Sequence, residues 1–249
     1  PMAGLYLAFE RFSYKGGIWG SAWVGLNNFY EFFSDGEFLR ALRNTVIFSL
    51  GKLALQFPTA IILALALNEL RHARIKKLYQ TVFTFPHFIS WVVMAGILKN
   101  MFASNGVINQ LLTVWGMDAI SPLLSKTGFR PFIWFSNIWK EAGWDTIIYM
   151  AALAGIDPGL YEAAEIDGAN RWRKIWHITL PGIRSTILIM LILEIGRIMT
   201  TGASFDQVFN LYSSPVYEVA DTIDTYIYRT SFGGTKNFGY TTAVGLSKS

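Results

Sequence analysis

The sequence predicts an all-α, polytopic membrane protein, and three observations support this. Apolar residues make up 52% of the 249 residues and charged residues only 15%, well below the quarter or so that is usual in soluble domains. The apolar residues fall in blocks long enough to cross a hydrocarbon core of roughly 30 Å, which takes about 20 helical residues. Basic residues cluster in short segments beside these blocks, as they do at the cytoplasmic ends of membrane spans.

Six apolar segments are candidate transmembrane helices. The first and the last, 1–9 and 239–249, are expected to be parts of helices that are incomplete within this sequence. The complete candidates are 42–67, 80–98, 131–156 and 183–205. Pro58 and Pro86 predict a kink or a break in the first two of these. We therefore expect a single transmembrane domain over residues 1–249, with about six core helices in the intact protein.

Two segments rich in lysine and arginine set the expected orientation. They are 68–79, with Arg71, Arg74, Lys76 and Lys77, and 157–184, with Arg171, Arg173, Lys174 and Arg184. Two predicted spans separate these segments, so both lie on one side of the membrane. The positive-inside rule makes that side cytoplasmic. The loops 10–41, 99–130 and 206–238 then face outward.

Several other classes of protein are disfavoured. A soluble all-α globule is the alternative to a membrane protein, but it would have to bury several apolar runs near 20 residues long in one small chain. The net charge of +4 could suggest nucleic acid, yet basic residues beside apolar blocks fit membrane orientation better. The sequence has no phosphate-binding G-x-x-x-x-G-K-[ST] loop, no metal-ligand spacing and no G-x-S-x-G nucleophile. We expect no catalytic, cofactor or metal site and no nucleic-acid partner.

Residues 157–182 predict a short helix followed by a tight turn. Asp157 has the carboxylate of an N-cap, and Pro158 follows at the first helical position, where its missing N–H costs nothing. A short helix is then expected through Leu160–Ile166. Gly168 fits a left-handed turn position, where a side chain would cost energy.

A second short helix is predicted over Asn170–Ile178. It places Trp172, Ile175 and Trp176 along one face. It should end before Pro181, which disfavours helix at the residue before it. The product is a compact helix–turn–helix at the membrane surface.

Small residues give this helix–turn–helix an exposed ridge. They are Ala163, Ala164 and Ala169, and a ridge of small residues lets a groove of another protein approach closely. An ordinary amphipathic surface hairpin is the alternative interpretation.

The spacing within this segment matches a known pattern. It is Glu162-Ala163-Ala164, three residues, Gly168, nine residues, and then Ile178-x-Leu180-Pro181. It resembles the EAA loop of the permease subunits of binding-protein-dependent, ATP-binding-cassette carbohydrate importers. More narrowly, the chain is similar to the subgroup that handles complex oligosaccharides, which includes alginate- and pectin-fragment permeases and lipoprotein-associated polysaccharide permeases.

Further matches extend the resemblance over nearly all of the chain. They are WVGLNNFYEFF (23–33), LRNTVIFSLGKL (42–53), ALALNELRHARIKK (64–77), FPHFISWVVMAG (85–96), IWKEAGWDTIIYMAALAGIDP (138–158) and VYEVADTIDTYIYR (216–229).

The resemblance implies a type I importer permease fold with a cytoplasmic coupling helix that docks into a cleft on a separate ATPase. The Glu at the position of Glu162 then pairs with a basic residue of that ATPase, and a side chain at Gly168 uncouples transport from hydrolysis. The residues implied in coupling are Glu162, Ala163, Ala164, Asp167, Gly168, Ala169, Ile178, Leu180 and Pro181.

The resemblance also implies the partners and the location. These are a second homologous permease subunit, two ATPase subunits that bind ATP and Mg²⁺, an extracytoplasmic sugar-binding protein, and the lipid bilayer of a bacterial cytoplasmic membrane. The substrate would be an oligosaccharide, and closure of the ATPases would drive alternating access. A coupling element that transmits a rigid-body displacement should be short, stiff and firmly seated.

Ionisable residues within the predicted spans are candidates for the substrate path, because such residues are costly in lipid and usually functional. They are Lys140, Glu141 and Asp145 in one span and Glu194 and Arg197 in another. Ion pairing within or between helices is the alternative for each of them. Arg197 or Lys140 would suit uronates, which are acidic sugars, unless Glu194 or Glu141 neutralises it.

Aromatic side chains in the third complete span are candidates for stacking on sugar rings. Trp144 and Tyr149 are the main ones, and Trp134 and Trp139 lie in the same span. Anchoring at the membrane interface is the competing explanation for tryptophan and tyrosine near span ends. His87 follows Pro86, where a hydrogen-bonded residue at a helix break is the simpler interpretation than a ligand.

Two other functions remain as rivals of a permease subunit. A secondary transporter or channel would follow an ion gradient and need no ATPase. A structural or assembly protein of the membrane would show no substrate-stimulated ATP hydrolysis in any complex. A membrane-bound enzyme is a more distant third.

Overall fold

The computed structural model describes residues 2–70, 72–198, 204–233 and 238–248. Several predicted features fall partly outside the described residues. They are Arg71 of the basic segment 68–79, residues 199–203 of the predicted span 183–205, and the outermost residues of the two incomplete spans, Pro1 and Ser249.

Helices make up most of the described chain. In order they are α1 (Met2–Leu5), α2 (Asn27–Ser34), α3 (Gly36–Asn68), α4 (Ala73–Thr84), α5 (Trp91–Met101), α6 (Val107–Val114), α7 (Lys126–Ala154), α8 (Pro158–Ile166), α9 (Arg171–Lys174), α10 (Leu180–Gly182), α11 (Arg184–Gly196), α12 (Phe205–Leu211), α13 (Tyr217–Ala220), α14 (Ile223–Phe232) and α15 (Phe238–Lys248). Short 3₁₀ turns cover Tyr6–Phe9, Phe85–Phe88 and Ser214–Val216, and a π-turn covers Ile175–Thr179.

The all-α prediction missed a β-hairpin in the segment expected to be a loop, 10–41. Strands β1 (Glu10–Ser13) and β2 (Gly17–Trp23) pair antiparallel with an irregular register. Gly17 turns the chain with a φ of +62°, a conformation that glycine adopts at no steric cost. The strands are short and lack regular apolar alternation, which is the signal that would have predicted them.

Two long helices begin earlier than predicted, because a capping residue precedes the apolar block. The Glu37 amide donates to Asp35 Oδ1 at 2.7 Å, so α3 begins at Gly36 rather than at residue 42. The Gly128 amide donates to Ser125 Oγ at 3.2 Å, and α7 begins at Lys126 rather than at residue 131. A side-chain oxygen of this kind satisfies an amide of the first helical turn.

The predicted span 80–98 is broken near Pro86, as its sequence indicated. Helix α4 ends at Thr84, a 3₁₀ turn covers Phe85–Phe88, and α5 begins at Trp91. Helix α4 also starts at Ala73, inside the segment 68–79 that was predicted to be a loop. The segment predicted to be a cytoplasmic loop is therefore shorter than the basic cluster suggested.

Fewer helices than predicted are long and apolar enough to cross a membrane by themselves. Among the described residues Gly36–Asn68 meets this standard alone, and two broken pairs raise the number to 3 if each pair is one span. The second pair, Arg171–Gly182 with Arg184–Gly196, is bent by 61°. Helix α7 has 29 residues, but its charged residues reduce its apolar character.

The described residues group into two compact units that interleave along the chain. One comprises residues 1–50, 91–133 and 198–249, and the other comprises residues 51–90 and 134–197. The prediction of a single domain stays a prediction.

Polar contacts at the start of α3 organise the first unit. The Tyr226 and Tyr240 hydroxyls donate to Asp35 Oδ2 at 2.5 and 3.0 Å. Partial burial alone would raise the pKa of Asp35, but hydrogen bonds from these hydroxyls and from the Glu37 amide hold that pKa below its usual value. Asp35 therefore stays ionised where it caps α3.

The second unit has a core between α3, α7 and α11. Its fully buried residues are Ala60, Ala64, Tyr149, Leu153 and Ile183. Two alanines on α3 allow a close approach of α7, and the Thr146 hydroxyl donates to the Ala60 carbonyl at 3.3 Å. Small residues at a helix contact and hydroxyls bonded across it are typical of helix packing in membranes.

A substitution at Gly143 tests the close packing of α7 against α4. A Cβ on Gly143 would overlap the carbonyl oxygen of Phe83, and backbone cannot move aside cheaply. We expect Gly143→Ala to lower the free energy of unfolding by about 1–3 kcal/mol. Thermal unfolding in detergent, followed by circular dichroism, measures this.

The matched control is Gly96→Ala on α5, where no atom lies within 4 Å of the added Cβ. Alanine is favoured over glycine inside a helix by about 0.5–1 kcal/mol, so this variant should keep or slightly gain stability. Equal unfolding temperatures for both variants would contradict the contact between Gly143 and Phe83.

Candidate functional site

The segment 157–182 folds as the predicted helix–turn–helix, with an N-cap at its start. Asp157 Oδ1 accepts a hydrogen bond from the Gly159 amide at 2.9 Å. Pro158 occupies the first position of α8, which runs to Ile166. The predicted start of this helix is confirmed.

Gly168 forms the turn in the left-handed conformation that its sequence position predicted. Its φ is +71°. The Gly168 amide donates to the Glu165 carbonyl at 3.1 Å, and the Ala169 amide donates to the Ala164 carbonyl at 2.9 Å. These two bonds are those of a Schellman motif, which ends a helix by satisfying its last carbonyls.

Among the described residues, no atom crowds the outer side of the turn. None of them lies within 4 Å of the position that a Cβ on Gly168 would take. A substitution at Gly168 would therefore strain the backbone without a clash against the described part of the chain.

The second helical stretch differs from the prediction. Asn170 Oδ1 caps α9 by accepting from the Arg173 amide at 2.9 Å, but the helical path does not end before Pro181. A π-turn over Ile175–Thr179 leads into α10 (Leu180–Gly182). The wider π-turn relieves the clash between a proline ring and the preceding turn, and Pro181 then begins a new segment that does not need its N–H.

Contacts between the two helical stretches make the segment one body. Tyr161 and Thr179 join their hydroxyls at 3.1 Å. Lys174 Nζ lies 2.5 Å from Glu165 Oε1. The hairpin is held in a single shape by its two helix caps, by the glycine turn and by these two side-chain contacts.

Five of the nine predicted coupling residues in this hairpin are exposed. Glu162, Ala163, Asp167, Gly168 and Pro181 are exposed, whereas the remaining predicted coupling residues are half-buried: Ala164, Ala169, Ile178 and Leu180. The predicted ridge of small residues is thus only partly exposed.

Sequence reasoning missed Ile166, an apolar side chain that is 89% exposed beside the glycine turn. A single exposed apolar side chain is common on protein surfaces, so the interest of Ile166 lies in its position beside the predicted coupling turn. The sequence feature that could have identified Ile166 was its position in the last turn of α8, two residues before the left-handed glycine.

The three charged residues of α7 that were predicted for the substrate path lie in two separate groups. In the first, Lys140 Nζ bonds Glu141 Oε1 at 3.0 Å and the His87 carbonyl at 2.7 Å. Glu141 Oε2 also lies 2.6 Å from His87 Nδ1. Lys140 is only 5% exposed, so this cluster places a buried cation against a carboxylate at the helix break. The sequence predicted neither the partner His87 nor the distance, because both depend on tertiary packing.

Trp144 lies beside this cluster, and one face of its ring is covered. Its centroid is 4.3 Å from that of His87, with the two rings 5° from parallel. A ligand could stack only on the opposite face of the Trp144 ring.

The second group of α7 lines a small polar cavity in the same unit. Asp145 Oδ2 accepts from Gln56 Nε2 at 2.5 Å, and Asn137 Nδ2 donates in turn to Gln56 Oε1. The lining includes Lys52, Gln56, Asp145, Tyr149 and Glu194. The cavity volume is about 20 Å³, which holds a water molecule but not a sugar.

The remaining candidate, Arg197, lies at the end of α11 and is exposed. Its amide donates to the Glu194 carbonyl at 3.2 Å. The structure thus brings Asp145, Tyr149 and Glu194 together and places Lys140, Glu141 and Trp144 in a different cluster.

Comparison with curated proteins finds relatives along the entire chain. It is 44% identical over 100% of its length to the "Polygalacturonan/rhamnogalacturonan transport system permease protein YteP" of Bacillus subtilis (strain 168), and covers 77% of that protein. It is 46% identical, again over 100% of its length, to "Protein LplB" of the same organism, and covers 78% of it.

Solved structures give the same result for the fold. A crystal structure of a bacterial ABC transporter involved in the import of the acidic polysaccharide alginate contains a chain with a TM-score of 0.90 and 40% identity, matched over 99% of this chain and 82% of that chain. A structure of the bacterial alginate ABC transporter in complex with an alginate pentasaccharide-bound periplasmic protein gives a TM-score of 0.89. The predicted permease fold is confirmed.

The match to a family as a whole agrees with these individual relatives. Residues 56–232, which include the hairpin and both groups of charged residues, match the family described as "Binding-protein-dependent transport system inner membrane component". This chain therefore belongs to the family of binding-protein-dependent transport system inner membrane components.

Proposed function

We propose that this chain is the transmembrane subunit of an ATP-driven importer that moves acidic oligosaccharides across the bacterial inner membrane by alternating access. Family membership supports a role in transport through that membrane. The substrates named for its relatives, polygalacturonan/rhamnogalacturonan and alginate, are polymers that contain uronates. The working complex would include a second permease, two ATPase subunits that bind ATP and Mg²⁺, and an extracytoplasmic sugar-binding protein.

The observation that carries this proposal is the capped, cross-linked hairpin 157–182 with an exposed tip. Glu162 and Asp167 offer carboxylates to a basic partner, and Ile166 offers an apolar anchor, all next to the open turn at Gly168. A hairpin held by two caps and a Schellman motif transmits displacement instead of absorbing it. Through this hairpin a separate ATPase would move the helices to which it is joined, α7 and α11.

The charged residues of α7 divide into a packing role and a path role. Lys140 and Glu141 bond each other and His87, and we assign them to holding the helix break at Phe85–Phe88. Asp145, Tyr149 and Glu194 line a polar cavity, and we assign them to the wall of the substrate path. The cavity holds only water at its present size, so a sugar would need the space that a second permease and a change of state provide.

The remaining two residues have single roles in this proposal. Arg197, exposed at the end of α11, supplies a cation for uronate carboxylates. Trp144 offers a sugar the one ring face that His87 does not cover.

Reconstitution tests the proposed function. The chain, its partner permease, the ATPase and the binding protein are placed in proteoliposomes, and ATP hydrolysis is measured with oligogalacturonate or with a neutral maltooligosaccharide. The acidic sugar should stimulate hydrolysis and the neutral one should not. Uptake that follows an ion gradient without ATP, or equal stimulation by both sugars, would contradict the proposal.

Gly168→Trp should uncouple hydrolysis from uptake, because a bulky side chain at the open turn would obstruct a docked ATPase. Coupling free energies of 1–3 kcal/mol correspond to factors of about 5–150. We expect the ratio of sugar taken up to ATP hydrolysed to fall by about fivefold or more.

Gly116→Trp is the matched control for this variant. Gly116 has a φ of +73°, and no atom of the described part of the chain lies within 4 Å of its Cβ position, so the backbone strain is similar. It lies in the loop predicted to face outward. If both variants lose coupling equally, or if Gly168→Trp transports normally, the hairpin is not the coupling element.

The packing role of Lys140 predicts a rescue. Glu141→Gln removes the carboxylate that this buried ammonium bonds, and breaking a buried ion pair costs about 3–5 kcal/mol. Adding Lys140→Met removes the charge as well and should restore much of the unfolding temperature. The double variant should keep sugar-stimulated hydrolysis. A double variant that is as stable as the wild type but has lost this stimulation would show that Lys140 contacts the sugar.

A further inference from the structure

A large apolar groove lies beside the coupling hairpin in the second unit. One wall is the cytoplasmic half of α3, and the other is the helical stretch after the Gly168 turn. Its volume is about 770 Å³. We call it the α3 groove, and its lining is Pro58, Ile61, Ile62, Leu65, Ala66, Glu69, Arg171, Trp172, Ile175, Trp176 and Leu180.

The groove extends too far into the membrane for a soluble protein to fill it. It follows α3 from Glu69 to Pro58, about 16 Å at 1.5 Å per residue. That is roughly half of a hydrocarbon core of about 30 Å. Pro58, Ile61 and Ile62 belong to a helix apolar enough to span a membrane by itself. The occupant must therefore be apolar and reach about half-way across the bilayer.

The shape of the groove accommodates an extended chain. Its volume is about 770 Å³, spread along about 16 Å of α3. A lipid acyl chain is thinner than a helix and spans one leaflet.

The polar end of the groove favours a negatively charged headgroup. Arg171 Nε lies 4.0 Å from Glu69 Oε2 at the mouth, and 65% of the Arg171 side chain is exposed. Arg173 follows on α9, and α4 begins shortly after Glu69 with Arg74, Lys76 and Lys77. Arginine binds phosphate with paired hydrogen bonds.

Two tryptophans place the mouth at the membrane surface. Trp172 and Trp176 line the groove and are 71% and 65% exposed. Tryptophan with an apolar body and a polar N–H is enriched at the level of lipid headgroups. The clustered basic residues make this the cytoplasmic leaflet.

We propose that the α3 groove binds one anionic phospholipid of the cytoplasmic leaflet, with an acyl chain along α3 and its phosphate at Arg171. The stretch Arg171–Gly182 forms both the wall of this groove and the second half of the coupling hairpin. A bound lipid therefore packs against the element that the ATPase is proposed to move. Lipid binding itself does not require the proposed transport function.

The assembled importer in lipid nanodiscs tests the binding. The discs contain phosphatidylcholine with or without phosphatidylglycerol, and native mass spectrometry measures the phospholipid retained on this subunit. The wild type should retain phosphatidylglycerol in preference to phosphatidylcholine. Ala66→Trp, which fills the groove, should reduce this retention by about tenfold, a change of 1.4 kcal/mol. Ala54→Trp, on an exposed position of α3 outside the groove lining, should retain lipid as the wild type does.

The charge at the mouth has its own pair of variants. Arg171→Gln should lose the preference for phosphatidylglycerol while retaining some phospholipid, and Arg171→Lys should keep the preference. Equal retention by Ala66→Trp and Ala54→Trp, or no preference for the anionic lipid in the wild type, would overturn the proposal.

A photo-crosslinking residue at position 66 identifies the occupant directly. An adduct with the mass of a phospholipid supports the proposal. An adduct with a peptide of the partner permease or of the ATPase would overturn it.

Discussion

The left-handed turn at Gly168 is the constraint on which the rest of the hairpin depends. At a φ of +71° the chain reverses within two residues, and the same turn satisfies the last carbonyls of α8. Only this reversal brings Tyr161 to Thr179 and Lys174 to Glu165. It also leaves Ile166 exposed at the tip. A straight helix through the same residues would bury no partner and would present no compact surface to another protein.

The proposed coupling requires that the spans joined by the hairpin move as rigid bodies, and buried polar contacts hold parts of these spans together. Lys140, Glu141 and His87 tie α7 to the break after α4. Asp145, Gln56 and Asn137 tie α7 to α3. In a membrane such groups must satisfy one another, because no bulk water is available. Because these groups must satisfy one another, their contacts have a fixed geometry. The contacts hold the part of α7 from residue 137 to residue 145 against α3 and against the break after α4.

Local features of the sequence predicted local structure well, and tertiary packing accounts for the misses. The cap at Asp157 and the turn at Gly168 depend on residues within one helical turn, so their chemistry could be predicted. The path through Pro181 could not, because the π-turn before it depends on contacts such as Tyr161 to Thr179. The early starts of α3 and α7 were missed because Asp35 and Ser125 were not recognised as caps. The partner His87 lies 54 residues from Glu141, beyond any local signal.

The central claim is that the tip of the hairpin sits against a nucleotide-hydrolysing subunit, and a cross-link from Ile166 tests it most directly. These 249 residues contain no cysteine, so Ile166→Cys in the assembled importer provides a single reactive thiol within them for a short cross-linker. Val114→Cys provides an equally accessible control, because Val114 is 81% exposed and lies in the loop predicted to face outward. The account predicts that Ile166→Cys forms an adduct with the ATPase, in a yield that changes when ATP is added, and that Val114→Cys forms none. An active importer in which Ile166→Cys never cross-links to the ATPase would contradict it.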